Sequence, residues 1–178
     1  MLLKPQDILV LLKLVAVGSD EWSYNRLAVS LHMSPSEVHA AIKRSLSARL
    51  ASQSENRARP NFRNLREFLI HGIQYVFIPE RGEMTRGLAT GIFAMPLSDL
   101  IVLPDEPPNV WPDPEGGQRG LAFSPLYKSV PKAAGEDPLL YELLTLVDVL
   151  RSGYARERKI AAAELEKRLD RYGTNSQS

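Results

Sequence analysis

Between Lys43 and Arg66 the chain carries seven basic residues, Lys43, Arg44, Arg49, Arg57, Arg59, Arg63 and Arg66, against one acid, Glu55. Cations at this density attract polyanions, because each phosphate they neutralise releases condensed counterions. A solvated basic face with no partner has the same composition, so the neighbouring sequence has to decide. Other chemistries find less support. There is no cysteine, which removes disulfides, thiolate metal sites and cysteine nucleophiles. His32, His39 and His71 are scattered, and no acid–histidine spacing matches a metal site. Gly116-Gly117-Gln118-Arg119-Gly120 lies among prolines without the strand and helix of a phosphate loop, and is expected as a turn. Ser124 lies in no nucleophile elbow, and Glu164 and Glu166 read as solvated helix charges. The sequence therefore points away from an enzyme, with no cofactor and no metal.

The element that must present the basic residues is the stretch from Trp22 to Leu50. Tyr24–Leu31 reads as a first helix, with Ser23 as its cap and Leu27, Ala28 and Leu31 inward. Asn25, Arg26 and Ser30 stay free for solvent or a phosphate backbone. His32-Met33 makes a turn, and Ser34-Pro35-Ser36-Glu37 opens a second helix running to about Leu50. Ser34 is the cap, Pro35 fits the first helical position, and Glu37 completes a capping box. Val38, Ala41, Ile42, Leu46 and Leu50 form its apolar stripe, while His39, Lys43, Arg44 and Arg49 point elsewhere. One apolar face and one polar, basic face is what a DNA recognition helix requires.

The net charge is only +1 but uneven: residues 1–95 hold 12 Lys/Arg and 8 Asp/Glu, residues 96–178 hold 10 and 13. A hydrophobic fraction of 44% and a charged fraction of 24% are those of a soluble globular protein. No apolar run approaches the ~20 residues of a membrane span. The apolar run from Ile8 to Val17 contains Lys13 and follows Asp7, which is not a signal-peptide pattern, so a cytoplasmic protein is expected.

In chain order, Pro5 starts a helix that Gly18 ends. Ile8, Leu9, Val10, Leu11, Leu12, Leu14 and Val15 make it apolar nearly all round, which fits either a central core helix or a subunit interface. Glu21–Tyr24 is a short strand or a loop whose Trp22 packs into the core. Ala51–Pro60 is polar and basic and is expected as a loop. Asn61 caps a helix to His71, which Gly72 ends. Ile73-Gln74-Tyr75-Val76-Phe77-Ile78 is β-branched and aromatic, and predicts a strand. Glu80–Gly87 is expected as a charged loop and Leu88–Ala94 as a returning strand, so that Ile73–Ala94 forms a hairpin with a basic tip. Seven prolines between Pro96 and Pro125 exclude regular helix there. Leu100–Leu103 fits a short strand or an extended segment, and Trp111, Phe123, Leu126 and Tyr127 lay the segment over a surface. Arg-Gly-Leu-Ala occurs at Arg86–Ala89 and again at Arg119–Ala122, a coincidence of common residues or else two exposed loop tips. Asp137-Pro138 opens a leucine-rich helix to Arg151. Ser152-Gly153 breaks it, and Tyr154 to about Tyr172 is a second helix with Ile160, Ala161, Leu165 and Leu169 inward. Residues 173–178 are expected to be a disordered tail.

Three helices, a basic segment and a β-hairpin, in that order, resemble the winged helix-turn-helix domain of bacterial transcriptional regulators of the MarR-like and ArsR-like kind. The likeness covers about residues 4–95, on Tyr24–Leu31, His32-Met33 and Ser34–Leu50 as the helix-turn-helix and Ile73–Ala94 as the wing. The helix at Asn61–His71 and the Pro-rich segment depart from the family pattern. The resemblance implies an α+β, mainly α, chain. It would have a winged helix-turn-helix domain (1–95), a Pro-rich extension (96–136), a C-terminal helical hairpin for dimerisation or docking (137–172) and a tail. It implies a sequence-specific regulator of double-stranded DNA, a repressor acting as a homodimer. Ser34, Ser36, His39, Ala40, Lys43 and Arg44 would line the recognition helix, Arg57 and Arg59 the basic segment, and Arg81 and Arg86 the wing tip. Phosphate contacts would supply affinity and base contacts the choice of sequence. The alternative is an antitoxin-like or adaptor protein whose winged helix mainly binds a partner protein.

Overall fold

Pro5 at the first helical position and an Asp7 carboxylate accepting the Lys4 amide at 2.8 Å start α1 (Pro5–Val17). Gly18, with φ 66°, ends it. In the computed structural model, which describes residues 1–175, α1 is buried around almost its whole circumference, from Asp7 to Leu12 and at Leu14 and Val15. Its coat comes from the chain itself: α1 packs on α2 (Tyr24–Leu31), α3 (Pro35–Ser47), α7 (Pro138–Ser152) and α8 (Ala155–Asn175). The apolar excess of α1 therefore belongs to a core helix and leaves no face for a subunit interface. Burying one such Leu or Ile contributes about 1.5–3 kcal/mol.

Ser23 caps α2 by accepting the Arg26 amide at 3.2 Å, and His32 ends it in the left-handed conformation. The capping box of α3 forms as expected. The Ser34 hydroxyl accepts the Glu37 amide at 3.2 Å, and Glu37 accepts the Ser34 amide at 2.8 Å. α3 stops at Ser47 rather than Leu50: Arg49 turns left-handed at φ 60°, and the Leu50 amide reaches back to the Ser45 carbonyl.

The segment expected as a loop, Ala51–Pro60, is a hairpin. β1 (Ala51–Ser54) pairs antiparallel with β2 (Arg57–Pro60), with Ser54 opposite Arg57. Glu55 and Asn56 sit at φ 45° and 68°, the two left-handed residues of a tight two-residue hairpin turn. Only Ala51 and Ala58 are buried here, so the strands carry almost no apolar alternation.

After the Asn61 cap the chain runs as α4 (Phe62–Glu67), a π-helical turn (Phe68–Gly72) and α5 (Ile73–Val76). The expected strand Ile73–Ile78 does not form, and neither does the Ile73–Ala94 hairpin. Leu65, Leu69 and Ile73, four apart and fully buried, keep one face of the helical run in the core, which overrides the β propensity of the sequence. The expected loop Glu80–Gly87 is instead most of β3 (Arg81–Ala89), and the chain beyond Ala89 passes into a short 3₁₀ turn at Gly91–Phe93. Leu100–Leu103 forms no strand.

β3 pairs antiparallel with both β4 (Asn109–Pro112) and β5 (Gln118–Phe123), and β4 pairs parallel with β5. The glycine-rich run Gly116–Gly120, expected as a turn, ends inside β5. Three strands can close on one another this tightly only where side chains are missing. A Cβ on Gly87 would lie 2.0 Å from the Trp111 carbonyl oxygen, and one on Gly120 would lie 2.2 Å from that of Pro108. The sheet thus joins strands on both sides of residue 96.

Helix α7 is the axis of the second half, packed against α1, α5, α6 (Val130–Glu136) and α8. Its Asp137 cap accepts the Leu139 and Leu140 amides, and Lys13 of α1 reaches the same carboxylate at 2.7 Å. Two charged residues of α7 are buried. Asp148 accepts the Thr90 hydroxyl and the Trp111 indole, each at 2.7 Å, and pairs with Arg151 at 2.7 Å. Arg151 also donates to the carbonyls of Phe77 and Ser124. Burial pushes the Asp148 carboxyl up against the pull of Arg151. This network bolts both ends of the sheet to α7. In α8, Ala161, Leu165 and Leu169 face inward as expected. The helix extends to Asn175, so residues 173–175 of the expected tail are helical, and 176–178 lie outside the described residues. No helix among the described residues is long and apolar enough to cross a membrane.

Candidate nucleic-acid interface

The apolar stripe of α3 goes inward at Val38, Ala41 and Ile42, with Ser45 donating to the Ala41 carbonyl. That docking turns Ser36, His39, Lys43 and Ser47 outward, with Ala40 half-buried between them. These positions are three, four and seven apart, so they share one face. The His39 ring tilts against Tyr24 of α2, centroids 5.0 Å apart, and Tyr24 meets Trp22 edge-on at 5.4 Å. The imidazole is therefore held at the seam between the two helices. Ser34 is occupied by capping, with its hydroxyl 3.1 Å from that of Ser36.

Arg44 does not join this face. Its guanidinium turns to α1 and grips Asp7 through three contacts of 2.7–3.1 Å. Asp7 is fully buried and the Arg44 side chain 12% exposed, and the bonds to Asp7 push the arginine pKa up further. Its expected contact with DNA gives way to an internal ion pair between α1 and α3, because position 44 borders the buried stripe.

The next basic residues come from the hairpin. In the β1–β2 register, Ser52 opposes Arg59 and Ser54 opposes Arg57, so both arginines occupy the outer face while Ala58 faces in. Arg57 lies 3.6 Å from the exposed Glu21 carboxylate, a weak surface pair. Arg81 and Arg86, expected at a wing tip, belong to β3 in the other sheet. Arg81 stacks over Phe123 at 5.4 Å and donates to Asn109 at 3.2 Å; Arg86 is exposed. The residues foreseen as one site are thus divided between two surfaces: Ser36, His39, Ala40, Lys43, Arg57 and Arg59 on α3 and the hairpin, Arg81 and Arg86 on the sheet.

One contact at this site had no trace in local sequence. The strap between β5 and α6 brings the Tyr127 hydroxyl to donate to Glu37 at the start of α3. That bond, together with the Ser34 amide and hydroxyl, holds the Glu37 carboxyl down at about 2, with Lys128 contributing. The exposed His32 lies 3.0 Å from Glu136 at the end of α6. The C-terminal half therefore braces the turn and the first turn of α3 from outside. Glu37 and Tyr127 are 90 residues apart, and no spacing rule links them.

Comparison with protein-family models, with curated proteins and with solved structures finds no match.

Proposed function

We propose that this chain is a winged helix-turn-helix protein that binds double-stranded DNA and regulates transcription, with α3 as the recognition helix and the β1–β2 hairpin as the wing. The observation that carries the reading is the exposed stripe Ser36, His39, Lys43 on a helix docked by its opposite face. That helix is followed at once by a hairpin bearing Arg57 and Arg59 outward. A helix so held can enter a major groove with its N-terminal half, while hairpin cations reach the flanking backbone. In this reading Ser36, His39 and Ala40 face base edges, and Lys43, Arg57 and Arg59 face phosphates. Repression by a homodimer remains the preferred form, with dimerisation surfaces other than α1. The test is fluorescence anisotropy with duplexes from the region upstream of the protein's own gene. The Lys43→Glu/Arg57→Glu variant is expected to lose at least tenfold in affinity. Its log K against log salt slope should flatten by about 0.9 per lost phosphate contact. Wild-type binding by that variant at moderate salt would refute the reading.

A second reading, a module that mainly binds a partner protein, is favoured by a different observation. An open cleft of about 450 Å³ is walled by Ala89, Phe93, Ala94, Met95, Pro138 and Tyr141, most of its surface apolar. Beside it in sequence, Val102 is 95% exposed, and Met95, Leu100 and Leu139 are exposed too. Surfaces of this kind mark protein contacts. Introducing a charge at Val102 and Leu139, as Val102→Asp/Leu139→Asp, would abolish such a complex and leave duplex binding intact.

A further inference from the structure

The two copies of Arg-Gly-Leu-Ala are neighbours in space. In the β3–β5 register Met84 faces Leu121, Thr85 faces Gly120, Arg86 faces Arg119 and Gly87 faces Gln118. The two arginines of the repeat are thus directly opposite each other across an antiparallel pair. Like charges so placed destabilise a sheet. The strands cannot slip to separate them. Gly87 and Gly120 each pack where a Cβ would strike a backbone carbonyl, and a one-residue shift would put a side chain there.

Neither arginine has an acidic partner among the described residues, although both are exposed. Acids do lie nearby in the chain: Glu83 on β3, and Asp113 and Glu115 in the turn before β5. The Asp113 carboxylate is taken by the Glu115 amide at 3.0 Å. The well-buried guanidiniums are paired, Arg44 with Asp7, Arg151 with Asp148, Arg168 with Glu142 and Glu164. What distinguishes Arg86 and Arg119 from other exposed arginines such as Arg26 and Arg63 is that they face each other across a strand pair whose register is fixed. Two guanidinium side chains rooted at directly opposed positions on adjacent strands can offer paired donors to the oxygens of one tetrahedral oxyanion.

The pleat also places Met84 and Leu121, both partly exposed, on the same face as the arginines, and exposed Arg81 continues the cations along β3. An apolar floor beside a row of cations suits a phosphate carried on a polymer better than a free ion. We propose that Arg86 and Arg119 clamp a backbone phosphate of nucleic acid, forming a second contact separate from α3 and the hairpin. The choice of ligand rests on the DNA-binding reading; the position of the clamp rests on the sheet alone.

Binding is read by fluorescence anisotropy with a duplex of arbitrary sequence between 50 and 200 mM salt, for wild type and three variants. Arg86→Gln/Arg119→Gln is expected to bind about tenfold more weakly, with the log–log salt slope smaller by about 0.9 for one shared phosphate. Arg86→Lys/Arg119→Lys should recover the slope but not the full affinity, since lysine keeps the charge without the fork. Lys43→Gln/Arg57→Gln tests the α3 surface separately. If it matches wild type while the Arg86/Arg119 glutamine variant loses binding, the α3 reading fails and the clamp stands. Wild-type affinity and slope in the glutamine variant overturn the clamp. Inorganic phosphate is the second ligand, followed by shifts of the Arg86 and Arg119 Nε–H signals. Shifts with phosphate in a protein that binds no duplex would overturn the nucleic-acid assignment, and no response to either ligand would overturn the site.

Discussion

Replacing Arg44 by Gln should cost stability rather than DNA affinity. The guanidinium makes three contacts of 2.7–3.1 Å with Asp7, whose carboxylate is 0% exposed. Without it, the carboxylate keeps only the Lys4 amide at 2.8 Å. Removing one partner of a buried ion pair costs about 3–5 kcal/mol, because the other charge stays in the core. The surviving amide bond places the expectation near the lower end, about 3 kcal/mol. At about 2–4 °C per kcal/mol for a chain of this size, Tm should fall by about 6–12 °C. Asp7→Asn should cost less, about 1–2 kcal/mol, because Arg44 can reach solvent. Asp7→Leu/Arg44→Met should cost less than the sum of Asp7→Leu and Arg44→Met, as expected of residues in contact. Urea titrations followed by tryptophan fluorescence supply the free energies, and anisotropy at a temperature where the variant stays folded supplies the salt slope. A Tm within 2 °C of wild type would refute the ion-pair argument, and so would a slope reduced by a full phosphate contact.

Two further outcomes test other parts of the structure. Tyr127 is the largest cause of the low Glu37 pKa, about 2 against an ordinary 4.5. A carboxyl whose folded pKa is depressed stabilises the fold above its unfolded value and loses that contribution as pH falls from about 4.5 toward 2. Tyr127→Phe should therefore move the Glu37 midpoint, followed by carboxyl ¹³C shifts, up toward 4.5, with acid unfolding beginning at higher pH; an unmoved midpoint would dismiss the brace. Solvent screening keeps its stability contribution below about 1 kcal/mol. Gly87→Ala should cost about 3 kcal/mol or more in urea, because its Cβ meets a backbone carbonyl at 2.0 Å. Gly117→Ala, with nothing within 4 Å, should stay within about 0.5 kcal/mol of wild type. Equal costs at the two positions would remove the close-packing account of the sheet.

Caps and helical stripes were legible because their information is local. Ser34 and Glu37 stand three residues apart, and both hydrogen bonds of the box follow from that spacing. The outward placement of Ser36, His39 and Lys43 follows from the inward placement of Val38, Ala41 and Ile42. Arg44 was not legible. It borders the stripe, and whether such a residue faces water or the core depends on what lies opposite, here an aspartate 37 positions earlier. The first hairpin was hidden for a related reason: two buried alanines give no alternation, and its left-handed turn uses Glu55 and Asn56 rather than a glycine.

The existence and starts of the first three helices and the absence of thiol chemistry were settled by the amino-acid sequence, since capping, periodicity and composition act within a few residues. Only the tertiary structure decided that Ile73–Val76 is helical, that α1 is a core helix, and that the two Arg-Gly-Leu-Ala segments lie side by side. Each of those outcomes depends on partners distant in the chain. Leu65, Leu69 and Ile73 find a core to enter, α7 and α8 cover α1, and glycines 33 residues apart let three strands close. Contacts of that range carry the packing energy that overrides local preference.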